Sequence, residues 1–203
     1  MLKKIFKFLL VLTILVFSFN SRSIDVSALT DGNYEYELIN NNKEVRITKY
    51  KGKEDYVYLP NTIKGKKVTE LGSDSFKHNK IVKEVEFNSN LITIYSGAFN
   101  NCDSLEKVII PDNVKTIYSD DYSYTPTFGF CDNLKTVVIG NGLEYIDEGT
   151  FMGCESLESV TIGNSVKNIK ANAFNRCMNL NKVYYFGNAP SINKYSFSNT
   201  NSS

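Results

Sequence analysis

Phenylalanine recurs at Phe76, Phe99, Phe128, Phe151, Phe174 and Phe197, at spacings of 23, 29, 23, 23 and 23 residues. No other feature restricts the fold so strongly. A period in this range marks a solenoid, in which each unit buries its apolar side only against its neighbours. Other columns keep the same register. Asn79, Cys102, Cys131, Cys154 and Cys177 follow each phenylalanine by three residues. Val82, Leu105, Leu134, Leu157 and Leu180 form the next column, and Val85, Val108, Val137, Val160 and Val183 the one after. Phe87, Ile110, Ile139, Ile162 and Tyr185 come two residues later. Leu71, Ile94, Ile146, Ile169 and Ile192 precede their phenylalanines by five.

These columns predict a repeat solenoid built mostly of short β-strands joined by 3₁₀ or helical turns. Leu-x-x-Val-x-Ile reads as a strand whose valine and isoleucine share one inward face, because strand side chains alternate. Pro111, Gly140 and Gly163 end it, since proline lacks the donor and glycine permits a tight turn. Residues 97–102 read as the helical or 3₁₀ turn. About six rungs, ~4.8 Å apart, give a rod or horseshoe roughly 25–30 Å long.

A solenoid exposes an apolar cross-section at each end and needs a cap. Tyr34, Tyr36 and Leu38 alternate with Glu35, Glu37 and Ile39 as in a half-buried strand. Asn40, Asn41, Asn42 and Lys43 make a turn, and Val45, Ile47 and Tyr50 a second strand. Residues 29–56 are therefore expected to be an N-terminal capping β-hairpin, 57–199 the solenoid and 200–203 a polar tail. The more aromatic run Val183-Tyr184-Tyr185-Phe186-Gly187-Asn188-Ala189-Pro190 is expected to cover the last rung as a C-terminal cap; the alternative is that the chain stops within a longer array.

Residues 1–28 read as a signal peptide. Lys3, Lys4 and Lys7 precede an apolar run from Phe8 to Phe19, and Val26-Ser27-Ala28 offers small residues for cleavage. The run is shorter than the ~20 residues of a membrane helix, so no membrane span is expected after cleavage. Export implies a secreted or cell-surface protein. Formal net charge is +1, and loss of Lys3, Lys4, Lys7, Arg22 and Asp25 leaves the mature chain slightly acidic. That balance, with no basic stripe, excludes nucleic acid as the expected partner.

The segment Ser96-Gly97-Ala98-Phe99-Asn100-Asn101-Cys102-Asp103-Ser104-Leu105-Glu106-Lys107-Val108-Ile109-Ile110-Pro111 resembles the leucine-rich repeat of the BspA type. The likeness spans about residues 57–197. It implies a curved solenoid, secreted or on the cell surface, and adhesion to host or matrix proteins. It carries over no binding residue. Asn79 in the cysteine column and the longer step before Phe128 depart from the pattern.

Chemistry-bearing residues are sparse. The four cysteines share one column and are expected to be free, buried structural thiols. A column spreads ligands along a line, whereas zinc needs them to converge. His78 is the only histidine and reads as an exposed turn residue. No nucleophile motif, phosphate loop or carboxylate pair is present. The doublets Asp120-Asp121 and Asp147-Glu148 read as solvated turn residues. No cofactor, metal or catalysis is expected.

Two groups are the candidate partner-binding residues. The long step contains Tyr118, Asp120, Asp121, Tyr122 and Tyr124, and insertions in repeats form loops on binding faces. Tyrosine gives large contact area at low entropic cost. The outward side of the strands would present Lys107, Ile109, Val138, Thr161 and Tyr184. The expected function is a secreted binding protein for an extracellular or host protein. A structural or self-assembling surface element and an enzyme with a loop site are the alternatives.

Overall fold

A computed structural model describes residues 28–119 and 125–201. Among them lie sixteen short strands and no helix. Strands β1 (Leu29–Asp31), β2 (Tyr34–Ile39) and β3 (Glu44–Tyr50) form an antiparallel meander. Its second turn holds Asn40, Asn41 and Asn42, all at positive φ (49°, 56° and 63°), where asparagine is tolerated better than branched residues. The first coil follows as β4 (Tyr56–Tyr58), β5 (Thr62–Ile63) and β6 (Lys66–Leu71). β3 pairs parallel with β6 through Val45 beside Val68 and Ile47 beside Leu71, so the meander covers the end of the core.

Each later coil contributes two strands. They are β7 (Glu84–Glu86) and β8 (Thr93–Ile94), β9 (Lys107–Ile110) and β10 (Thr116–Ile117), and β11 (Thr136–Ile139) and β12 (Tyr145–Ile146). Then come β13 (Ser159–Ile162) and β14 (Asn168–Ile169), and β15 (Lys182–Tyr185) and β16 (Ser191–Ile192). β4, β7, β9, β11, β13 and β15 stack in chain order into a six-stranded parallel sheet. β6, β8 and β10 extend the meander on another face, and β12, β14 and β16 form a third sheet. β10 and β12 are not paired, although they belong to successive coils.

The phenylalanine column is the spine of the core. Rings from Phe76 to Phe197 stack at centroid distances of 4.9, 5.0, 5.3, 5.4 and 5.1 Å. Tyr50 of the cap lies on Phe76 at 4.8 Å and heads the stack. Val108, Val137 and Val160 and their isoleucine partners Ile110, Ile139 and Ile162 are buried, as the strand alternation requires. At the far end Val183, Tyr185 and Phe197 are only partly buried.

The turn at each phenylalanine is not the predicted helical one. Its N–H groups alternate between two destinations. Ala98, Asn100 and Cys102 donate locally to Tyr95, Gly97 and Phe99, whereas Phe99 and Asn101 donate to Thr127 and Gly129 of the next coil. The fourth coil repeats this: Phe151 and Gly153 donate to Ala173 and Asn175. Every second donor leaves the segment, so consecutive local bonds cannot run on into a 3₁₀ helix. The geometry places His78, Asn101, Phe130, Gly153, Arg176 and Asn199 at positive φ. A Cβ on Gly153 would lie 2.5 Å from the Phe130 ring.

The four thiols are free and buried. Each S–H donates to the phenylalanine carbonyl of the preceding coil: Cys102 to Phe76 (3.0 Å), Cys131 to Phe99 (3.1 Å), Cys154 to Phe128 (3.0 Å) and Cys177 to Phe151 (3.2 Å). In the first coil Asn79 accepts from Ile81 and Val82 N–H instead, at 2.9 and 2.8 Å. A side-chain oxygen thus closes this turn from within its own coil.

Candidate interaction surfaces

The parallel sheet fixes one group of expected residues in register. Ile109 lies beside Val138, Val138 beside Thr161, and Thr161 beside Tyr184. Lys107 lies in the parallel row that runs from Tyr56 and Glu84 through Thr136, Ser159 and Lys182. All of them point away from the core, because the alternating valines and isoleucines are the buried set. Ile109 is 42% exposed and Tyr184 53%. Lys107 is held 3.6 Å from Glu84 of the adjacent strand. The centre of the face carries no charge: Thr136, Val138, Ser159 and Thr161 make a low, even surface. Toward the cap the face changes to Tyr58, half exposed, and to Glu86, which accepts from the Tyr56 hydroxyl.

The second expected group lies elsewhere. Tyr118 directly follows β10, on a different sheet. Its ring stacks on Tyr95 at 5.3 Å, and the Arg46 guanidinium sits 4.6 Å over Tyr95. Glu37 and Glu70 hold Arg46 at 2.7 and 2.6 Å. Asp120, Asp121, Tyr122 and Tyr124 lie outside the described residues. Tyr118 and the outward stripe lie on separate sheets of the coil stack.

The Asp147-Glu148 doublet is not solvated throughout. Asp147 is 9% exposed. Its carboxylate accepts from the Lys170 ammonium at 2.7 Å and from Glu148 N–H at 2.9 Å, with Ser119 N–H at 3.5 Å. Asp147 stands one residue after the coil isoleucine, where earlier coils place Tyr95 and Tyr118. At the unpaired step between β10 and β12 it links three coils through its side chain. The Lys170 ammonium also lies 4.6 Å over the Tyr145 ring. Sequence reasoning missed this network, although the acid in a tyrosine column was its signal.

Shallow clefts open on both sides of Tyr145. One, of about 520 Å³, is lined by Thr116, Asn141, Glu144 and Tyr145 at the break itself. The other, of about 480 Å³, runs along Lys170, Asn168 and Ser191. Neither is lined by a histidine or a cysteine. His78 is exposed on its turn. Burial pushes the Cys102 thiol up to about 12 and raises Cys131 and Cys177 as well, which makes poor nucleophiles. Among the described residues no three His, Cys, Asp or Glu side chains are grouped to hold a metal. No helix among them is long and apolar enough to cross a membrane.

Short parallel strands stacked coil on coil, with an inward leucine, valine and isoleucine in each of the β9, β11 and β13 coils, define a leucine-rich repeat solenoid. The chain belongs to the BspA type leucine-rich repeat family, whose six copies match residues 55–126 and 124–203. It is similar in structure to a leucine-rich repeat protein of T. pallidum, TpLRR, with 25% identity and a TM-score of 0.64, over 81% of this chain and 85% of that one. A leucine-rich repeat protein of Eubacterium ventriosum shares the fold with 18% identity and a TM-score of 0.64, over 84% of this chain and 50% of that one. No curated protein sequence matches the chain.

Proposed function

We propose that this protein is a secreted or cell-surface binding module, without catalytic activity, for an extracellular or host protein. The observation that carries the reading is the outward face of the parallel sheet. Ile109, Val138, Thr161 and Tyr184 stand in direct register on strands whose other side is locked into the core. Such a surface is rigid before contact, so little ordering entropy opposes association. Its centre is uncharged and mildly apolar, and Tyr58 and Tyr184 flank it with amphipathic rings that suit protein contact. Tyr118, which follows β10 on a different sheet, adds a second contact.

The test is saturable binding of the mature chain to a panel of purified extracellular matrix and host surface proteins, beside a version with the third coil shortened to the common period. Saturable binding to at least one protein, with the shortened version no more than about tenfold weaker, is the expected result. No saturable binding under reducing or oxidising conditions sinks the proposal.

A further inference from the structure

Tyr145 stands at the break in pairing between β10 and β12. In the row one residue before each coil isoleucine, the neighbouring coils carry Thr93, Thr116, Asn168 and Ser191; only Tyr145 brings a ring. At intact steps the residue two before the isoleucine donates its N–H to the preceding coil. Lys115 bonds to the Ile92 carbonyl at 2.8 Å in this way, and Lys167 to that of Glu144 at 2.7 Å. At the break no such bond joins Glu144 N–H to the Lys115 carbonyl among the described residues. The two coils still meet at Gly142, where an added Cβ would lie 2.0 Å from the Val114 carbonyl oxygen. Beside that contact they part into the cleft of about 520 Å³ lined by Lys115, Thr116, Asn141, Gly142, Glu144 and Tyr145.

The ring and the lining together define what this cleft suits. The Lys170 ammonium, from the following coil, covers one face of Tyr145 at 4.6 Å. The cleft opens on the other side, toward Lys115 and Thr116 of the preceding coil. A bare aromatic face is electron-rich and attracts the hydrogens of C–H groups. Apart from the ring, the cleft has no apolar side chain, so it offers no seat for a leucine or valine of a partner. Thr116, Asn141 and Ser165 line it instead, and amides and hydroxyls both donate and accept. Asn141 is held in place by Asn164 N–H, which donates to its side-chain carbonyl at 2.9 Å. The two charges are already occupied. Glu144 pairs with Lys167 at 3.2 Å, and the Lys115 ammonium donates to the Asp112 carbonyl at 2.9 Å.

We propose that the cleft at the break between β10 and β12 binds a neutral saccharide. One pyranose lays its C–H face on Tyr145. Its hydroxyls bond to Thr116, Asn141 and Ser165, and to the Glu144 N–H and Lys115 carbonyl that the break leaves without each other. A further cleft of about 430 Å³ shares Glu144 and Ser165 with this one and adds Asn164 and Asn188, so a second sugar can follow the first. The site uses no residue of the outward stripe, and either can fail without the other.

The test is isothermal titration calorimetry of the purified chain with maltohexaose, cellohexaose and chitohexaose, and with a hyaluronan oligosaccharide as the anionic control. At least one neutral sugar is expected to bind with a Kd of about 1 mM or tighter, unchanged as salt is raised. Tyr145→Ala should weaken it about tenfold or more, whereas Tyr145→Phe, which keeps the ring, should bind like the parent. Should Tyr145→Ala unfold, Thr116→Phe decides. It fills the cleft from a strand position that suits an aromatic residue, and is expected to abolish binding while the thermal transition persists. No saturable binding of a neutral sugar, tighter binding of hyaluronan, or binding that survives Thr116→Phe would overturn the proposal.

Discussion

Ser75 occupies the position before the phenylalanine, where other coils carry Ala98, Thr127, Thr150, Ala173 and Ser196. The Ser196 hydroxyl donates to the carbonyls of Ile169 and Lys170, and Thr150 to that of Asp147. Ser75 Oγ is the one buried side-chain N or O without a partner among the described residues. An unsatisfied buried hydroxyl costs about 1–3 kcal/mol, and alanine already fits this column twice. Ser75→Ala should therefore raise the thermal midpoint, whereas Ser196→Ala should lower it. Equal falls in both would contradict the hydrogen-bond assignment.

The thiols set a second residue-scale expectation. Burial raises the Cys102 pKa to about 12 and moves Cys131 and Cys177 the same way. The unfolded thiol, with a pKa near ~8.5, loses its proton first, so the folded state binds more protons through this window. Stability is fully present below the unfolded value and declines as pH rises from about 9 toward about 12. Tyr34, raised to about 12 mainly by burial, adds in the same direction. Melting curves should move down steadily across that interval. Iodoacetamide at pH 8 should leave the native thiols unlabelled and modify all four after unfolding; rapid native labelling would refute the burial of the column.

At the scale of the element, the coil strands were legible because their alternation is strict: Val and Ile in, Lys, Thr or Ser out. The turn conformation was not. Spacing shows that a short apolar turn recurs, but it cannot show that Phe99 and Asn101 send their N–H groups to the next coil. Nor could it show that Tyr50, at a different spacing and of a different type, heads the phenylalanine stack. The break between β10 and β12 lies beyond the sequence for a related reason. The longer step before Phe128 marks an insertion, yet only the structure shows that one face loses pairing while β9 and β11 remain fully paired. Shortening this coil to the 23-residue spacing of its neighbours should let β12 pair with β10. Each kcal/mol gained would raise the midpoint by about 2–4 °C. A lower midpoint would mean that the insertion itself stabilises the stack.

For the whole molecule, periodicity settles architecture and leaves function to what departs from it. Asp147 replaces a tyrosine and bridges the gap; the insertion interrupts one face; the outward stripe drifts from Glu86 through Ile109, Val138 and Thr161 to Tyr184. The sequence named that stripe, because strand alternation says which side chains face out. It could not say that Tyr118 and the stripe sit on separate sheets, since that depends on how far each coil turns between its two strands.

Photocrosslinking would test the central claim, that the rigid outward sheet face is where a protein partner sits. A photoreactive amino acid is placed at Val138, in the middle of the stripe, or at Lys115, on a different face, and irradiated with a bound protein from the panel. A crosslinked complex is expected from Val138 and little from Lys115. Efficient crosslinking from Lys115 with none from Val138 would contradict that claim.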